Sequence, residues 1–372
     1  MSFNPQQVAA INIEGVAISR WTRVDVERSW STVFSFANFE NVEASGLHQR
    51  TTMPQPMPDD SPATVTLGGH LAITGKVYRR AVNYTKNSHE VQIGIWSETR
   101  KAVDQSVKAA PGEYRNQTVQ QIGSAVLAPI NINLIVAPGG FAAIPFPIAR
   151  ETPGETAIEF VERLARHRGL HLTDDQNGNL HLNSLLSPSG GGADFVEGGN
   201  IIRGHVLLQA DYTTAHADNK GQPVATTDSQ IASVPNAQSI ATRQGATNIG
   251  GSASTPYRLL IAEHPSNSQE LAARLQHQVV LDQIKTCQVT VTVDGWFDPN
   301  GQLWLNKVGY TQTKATLYSP MLIPPDLKQP SWFVYRVRSY QSDQEGTMTD
   351  ITICNPLGTS AVQADNKGAT IP

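Results

Sequence analysis

The chain has 372 residues, a length that suits two or three domains better than one ordinary core. Only 16% of its residues are charged and 7% aromatic, against 29 Gly and 23 Pro, which favours a β-rich protein with many hairpins over a helical one. A formal net charge of −4, with no run of like charges, gives no basic field for nucleic acid and excludes such binding as the main role.

Cys287 and Cys354 are too few for a disulfide scaffold. Each lies in or beside a predicted strand, where a thiol acts as a small apolar residue. The start, MSFNPQQVAAINIEG, lacks the basic and apolar regions of a signal peptide. No apolar run approaches the roughly 18 residues that cross a membrane. The expectation is a protein made in a cytoplasm, with no membrane anchor.

In chain order, the first hundred residues read as β. Val8 to Ile18 is apolar with a short period, and TRVDVERS alternates Val24 and Val26 with charged neighbours. Met53 to Pro62 carries four Pro and reads as a loop. Residues 64 to 78 predict a hairpin around Gly68-Gly69, and EVQIGIWS returns after a turn at Lys86-Asn87-Ser88. The period then changes. Val119, Ile122 and Val126 fall at helical spacing, with Thr118 as cap and Pro129 at the end. A second helix carries Ile158, Val161, Leu164 and Ala165 on one stripe, a capping box expected at Thr152 and Glu155, and a stop at Gly169. Asn177-Gly178 predicts another hairpin.

Strands resume from Phe195 to Tyr212. Residues 218 to 255 have no aromatic residue and read as a long polar loop. A third helix is expected from Ser266 or Ser268, with Leu271, Leu275 and Val279 on one face. Residues 288 to 310, QVTVTVDGWFDPNGQLWLNKVGY, predict a hairpin turning at Pro-Asn-Gly, and WFVYRVRSY and TMTDITICNP close the β pattern. One internal echo stands out: VYRRAVNYTKNSHEVQIGIWS (77 to 97) parallels VYRVRSYQSDQEGTMTDITIC (334 to 354), each a Val-Tyr-Arg strand, a polar turn and an alternating return. Two β regions built as copies of one barrel-like unit would produce it.

The chain offers little for catalysis. The ten His form no metal-ligand pattern; His167 and His171 straddle Gly169. SPSGGGADFVEGGN lacks the Lys of a phosphate loop, and no Gly-x-Ser-x-Gly elbow occurs. Asp59-Asp60 and Asp174-Asp175 are adjacent carboxylates in turns, where Asp is favoured for backbone reasons. Arg163, Arg166, His167 and Arg168 crowd a helix C-terminus, where cations complement the dipole. Trp21, Trp30, Trp96, Trp296, Trp304 and Trp332 lie in or beside predicted strands, as barrel core or subunit interface.

The order of these pieces resembles the baseplate hub proteins of Mu-type contractile-tailed phages, related to the T-even phage hub and to the N-terminal part of type VI secretion spike proteins. The carrying segments are residues 21 to 39, 68 to 80, 114 to 134, 155 to 182 and 289 to 310, while SETRKAVDQS departs from the family's pattern. The resemblance implies a β-rich α+β chain of two antiparallel β-barrel domains with a helix-containing α+β middle region. The expected parts are a first barrel domain (1–108), a middle domain (109–190), a second barrel domain (191–217 plus 286–356), the polar loop (218–255), a helical insertion (256–285) and a flexible tail (357–372). It further implies a homotrimer whose six barrels adapt a sixfold tail tube to a threefold central spike and form part of the DNA channel, with no catalysis, cofactor or metal. The implied partners are the chain itself, the tail tube protein, the central spike protein, and the tape measure and baseplate wedge proteins, with phage DNA as passing cargo. The implied location is the virion tail baseplate, assembled in the host cytoplasm. Taken by position, the interface candidates are Trp21, Val24, Val26, Tyr78, Trp96, Thr290, Thr292, Trp296, Trp304 and Tyr335. The alternatives are a carbohydrate-active or cell-wall-degrading tail protein and a type VI secretion spike component.

Overall fold

The structure, a computed structural model, describes residues 7–44, 61–85, 88–107, 112–136, 143–184, 190–208, 277, 280–281, 284–285, 287–308, 313–323 and 332–354. The loop expected at 218–255 and the tail expected at 357–372 lie outside these residues. The third predicted helix is described only at 277, 280–281 and 284, where the backbone is helical and Val280 and Ile284 join the core.

The first β region supplies β1 (Ala9–Ile13), β2 (Val16–Ile18), β3 (Arg23–Ser29), β4 (Phe36–Ala44), β5 (Pro62–Leu67), β6 (His70–Tyr84) and β7 (Ser88–Ser97). The middle follows as α1 (Arg100–Asp104), β8 (Glu113–Gln117), α2 (Val119–Leu127), β9 (Leu134–Val136), β10 (Phe146–Arg150), α3 (Ala157–His167), β11 (Leu170–Asp174) and β12 (Leu180–Ser184). The second β region comprises β13 (Gly190–Val196), β14 (Arg203–Leu208), β15 (Cys287–Asp294), β16 (Thr313–Tyr318), β17 (Trp332–Ser342) and β18 (Gly346–Cys354). The fold is thus β-rich α+β, with a large mostly antiparallel sheet and a helical middle.

The two β regions repeat one topology. In the first, hydrogen-bonded neighbours run β3-β4-β7-β6-β5-β1; in the second they run β14-β15-β18-β17-β16-β13. The echoed hairpins occupy the same place in each. In both, the register slips by one residue at the Tyr of Val-Tyr-Arg: Val77 faces Ile95 and Arg79 faces Gly94, while Val334 faces Ile353 and Arg336 faces Thr352. A bulge leaves that Tyr unpaired and bends the strand. The repeats differ in one pairing, since β1 runs antiparallel to β5 and β13 parallel to β16.

The repeats fuse into one 13-stranded sheet because β17 pairs antiparallel with β3, from Arg336 opposite Ser29 to Ser342 opposite Arg23. One apolar core underlies both, from Ile11 and Val65 through Val24 and Val26 to Val289, Val337 and Ile351. A separate core holds the middle, where α2 and α3 lie on the three-stranded β11-β12-β9 sheet. Gly123 permits that approach, since a Cβ there would stand 2.4 Å from the Leu134 side chain. Cys287 and Cys354 are free and buried, and burial pushes the Cys287 thiol up to about 11.

Three expectations change. α3 is capped by Thr156 and Glu159, not by Thr152 and Glu155. Thr152 to Glu155 forms its own turn through Gly154, at φ +88°, and the Glu155 carboxylate is already taken by Thr152 N–H and Arg163. α1, with an Arg100–Asp104 ion pair, was not foreseen in SETRKAVDQS because one short turn carries no measurable period. Most plainly, QVTVTVDGWFDPNGQLWLNKVGY is not a hairpin. β15 lies between β14 and β18, and the returning half folds over as a tight Asp298-centred turn and a 3-10 turn at Trp304–Lys307. Leu303, Trp304 and Leu305 are all buried, and three consecutive inward side chains cannot lie on one strand.

A single guanidinium ties these parts together. Arg28, near the end of β3, is 1% exposed. Its Nε donates to Ser35 Oγ (2.9 Å) and its Nη2 to the carbonyl of Ala72 on β6 (2.8 Å). Its Nη1 reaches Asn306 Oδ1 at 3.0 Å, in the 3-10 turn of the second region. The Asp174 carboxylate at the end of β11 lies 3.6 Å from Nε and accepts from Ser35 N–H (2.8 Å) and Oγ (2.7 Å). Burial raises the Asp174 carboxyl, and Arg28 with the Ser35 and Ser97 hydrogen bonds opposes that rise. Beside this cluster His171 stacks on Trp30 at 3.7 Å and donates Nε2–H to the Trp30 carbonyl at 2.6 Å.

Removing one partner of a buried pair strands the other charge, so Arg28→Met is expected to cost about 3–5 kcal/mol. Thermal or urea unfolding reads it; a loss below about 1 kcal/mol would refute the clamp. Burial lowers the His171 pKa from 6.5 to about 4. Between those values the unfolded chain binds the proton and the folded chain does not, so stability falls as pH drops from about 6.5 toward 4. The melting temperature should fall across that window, and by less in a His171→Gln variant.

Candidate interaction surface

The carboxylate pairs and the basic cluster serve the fold. Asp175 Oδ1 accepts from Asn177 and Asn179 N–H (both 2.9 Å), and Oδ2 meets His181 Nε2 at 3.0 Å. Burial opposes its ionisation, but these hydrogen bonds outweigh it and hold the carboxyl well below its usual range. Asp59-Asp60 lies outside the described residues. Arg163 is held by both Glu155 carboxylate oxygens at 2.8 Å, and Arg168 lies 4.0 Å over the Phe146 ring. Among the described residues no group of three or more His, Cys, Asp or Glu is placed to hold a metal.

What the fold presents instead is the outer face of a long sheet. At the junction of the repeats, β3 offers Asp25 and Glu27, and β17 offers Arg338 and Arg336 at the same period of two. Arg338 grips Asp25 with Nε at 2.9 Å and Nη2 at 2.5 Å, and Arg336 pairs with Glu27. Beside them a shallow groove of about 290 Å³ runs over β3, β4, β7 and β6, lined by Arg23, Asp25, Asn38, Glu40, Tyr78 and Gln92. Burial, and then the Glu90 carboxyl nearby, raise the Glu40 pKa. Tyr78, the bulge residue, donates to Asn38 Oδ1 (3.2 Å) and stacks on Trp96 at 3.9 Å. Gly94 makes that room, since a Cβ there would stand 2.6 Å from the Tyr78 ring. Arg100 lies 4.2 Å over the far part of this stack, on the Trp96 ring.

The ten interface candidates divide sharply. Val24, Val26, Trp296 and Trp304 are buried in the chain's own core and present nothing to a partner. Thr292 is also buried, donating to Asp350 Oδ1 (2.6 Å) and accepting from Arg203 Nε (3.0 Å). Thr290 is half-buried and shares a 3.0 Å hydrogen bond with Thr352. Trp21 packs 5.0 Å from Phe39, and Tyr335 lies 6.2 Å from Trp30. Only Tyr78 and Trp96 share an open patch. The alternating charges that join the repeats were missed, although RVDVER and YRVR carry them at matching spacing.

Comparison with known proteins places this architecture among phage tail proteins. Residues 99–184 match the family model described as the second domain of gp44-like baseplate hub proteins. Along nearly its whole length the chain is similar to the baseplate hub protein gp44 of Escherichia phage Mu, at 22% identity over 361 residues, covering 96% of this chain and 90% of that one. The fold matches the 43 kDa tail protein of prophage MuSo2 from Shewanella oneidensis, with a TM-score of 0.74, 20% identity, and coverage of 96% and 99%. A more distant likeness is the E. coli c3393 protein, a type VI secretion component, with a TM-score of 0.57, 9% identity, and coverage of 93% and 76%. These are hub, tail and secretion-system proteins, not enzymes, and the resemblance to Mu-type hubs drawn from the sequence holds.

The Asp25–Arg338 pair is partly exposed, so Asp25→Asn should cost no more than about 1 kcal/mol in urea unfolding. A loss as large as that of Arg28→Met would make the outer ladder, and not the buried clamp, the main tie between the repeats.

Proposed function

We propose that this chain is the structural hub of a contractile-tail baseplate, from a phage or a phage-derived particle. Three copies form a ring in which each chain contributes two barrel-like units, 1–108 and 191–217 plus 286–356, around the middle domain 109–190. Six similar units then face a sixfold tail tube, while the threefold ring receives a central spike, and the ring bounds part of the DNA channel. The observation that carries this reading is the repeated strand order with its bulge at the same Tyr in each half. A threefold object can imitate six positions only if each subunit holds two like units. A continuous sheet suits a load-bearing adaptor, because hydrogen-bonded strands resist displacement along their whole length. Partner contacts with the tape measure and wedge proteins, and location in the virion baseplate after assembly in the host cytoplasm, follow from the same reading.

The mass of the purified protein in solution, with electron microscopy, tests it. A trimer mass and a ring with six similar lobes are expected. A monomer at every concentration, with no ring in isolated particles, would overturn the hub reading.

A further inference from the structure

The junction inside one chain shows what each repeat needs at its edge, and two such edges are unfilled. In the second repeat, the N-terminal end of β17 pairs with β16, and its C-terminal part, beyond the Tyr335 bulge, takes β3 on the same side. In the first repeat β6 corresponds to β17. Its N-terminal part pairs with β5, from His70 to Lys76. Beyond the Tyr78 bulge, residues 79 to 84 pair with β7 alone among the described residues. Likewise β14 corresponds to β3, yet it pairs with β15 and with no second strand among the described residues.

Both edges are apolar where an edge should be guarded by charge. On β6, Val82 is 39% and Tyr84 82% exposed; on β14, Leu207 is 38% exposed, and Ile202 just before it 54%. Carrying the β3–β17 register across the repeat puts His205 opposite Asn83, Val206 opposite Val82, and Gly204 opposite Tyr84. The positions equivalent to Val206 and Val82 at the internal junction are Val26 and Ser339, paired and both 0% exposed. Gly204 leaves space beside the largest exposed side chain of the pair.

We propose that β14 of one copy pairs antiparallel with residues 79–84 of β6 in the next copy, in this register. This rests on the trimeric ring proposed above and specifies its subunit contact: the repeat-to-repeat junction within a chain recurs between chains. The contact is head-to-tail, since the two edges differ, so it forms a closed ring when the rotation closes and a fibre when it does not.

The test is a Val82→Cys, Val206→Cys double variant, oxidised and run without reductant beside each single variant. Directly opposed antiparallel residues stand about 4.5–5.5 Å apart, within reach of a disulfide. The expected result is a covalent trimer that collapses to monomer on reduction, with no cross-link in either single variant. Cys287 and Cys354 are buried and do not compete. A ladder beyond trimer would keep the pairing but overturn closure at three. A trimer mass with no cross-link, or a cross-link in a single variant, overturns the pairing and leaves the ring reading intact. A monomer throughout removes both. As a second readout, Val82→Lys is expected to shift the mass to monomer with its unfolding midpoint unchanged; a trimer retained in that variant overturns the proposal.

Discussion

The structure depends on one buried positive charge. Arg28 holds the β3–β4 connection, β6, the end of the middle domain and the 3-10 turn of the second repeat at once. Burying a guanidinium costs heavily unless its donors are met and its charge is countered. Here both conditions are met by groups from all three parts of the chain, so no part can shift without exposing an unsatisfied charge. Such an arrangement does less for total stability than for uniqueness. The apolar core would tolerate some sliding of one region on another, whereas a polar cluster with fixed donor directions tolerates little.

The sheet extends that logic outward. Across the β3–β17 junction the backbone pairs for seven residues, and above it Asp25 and Glu27 meet Arg338 and Arg336. The junction is therefore fixed on its inner face by burial and on its outer face by charge. A chain built this way transmits force between its halves through continuous hydrogen bonding, with no hinge between the sheets. That is the mechanical requirement on an adaptor between a tube and a spike. It also explains why a protein with so ordinary a composition needs no chemistry at its surface.

Much of this was legible in the residues. The hairpins at Gly68-Gly69 and Asn177-Gly178 were, because both turns use glycines at positive φ. The α2 cap was legible, because Thr118 and Gln121 stand at capping-box spacing. The echo was legible as a repeated Val-Tyr-Arg. Four of the interface candidates failed as surface because a strand pattern says which residues alternate, not which face is inside. Val24 and Val26 read equally well as either. Trp296 and Trp304 were placed on a returning strand, but the chain's own core had room for both indoles and took them.

By itself, the sequence determined the local elements and the duplication, since both are written in turn residues, periodicity and a repeated motif within short stretches. Tertiary structure alone decided the rest. QVTVTVDGWFDPNGQLWLNKVGY has the alternation of a hairpin, yet β15 found better partners more than fifty residues downstream in β18. Arg28 looked like one more charged residue on an edge strand until the fold closed three regions over it. In each case the deciding contacts join segments far apart in the chain, and their energy comes from burial and satisfied polar groups that no local pattern can encode.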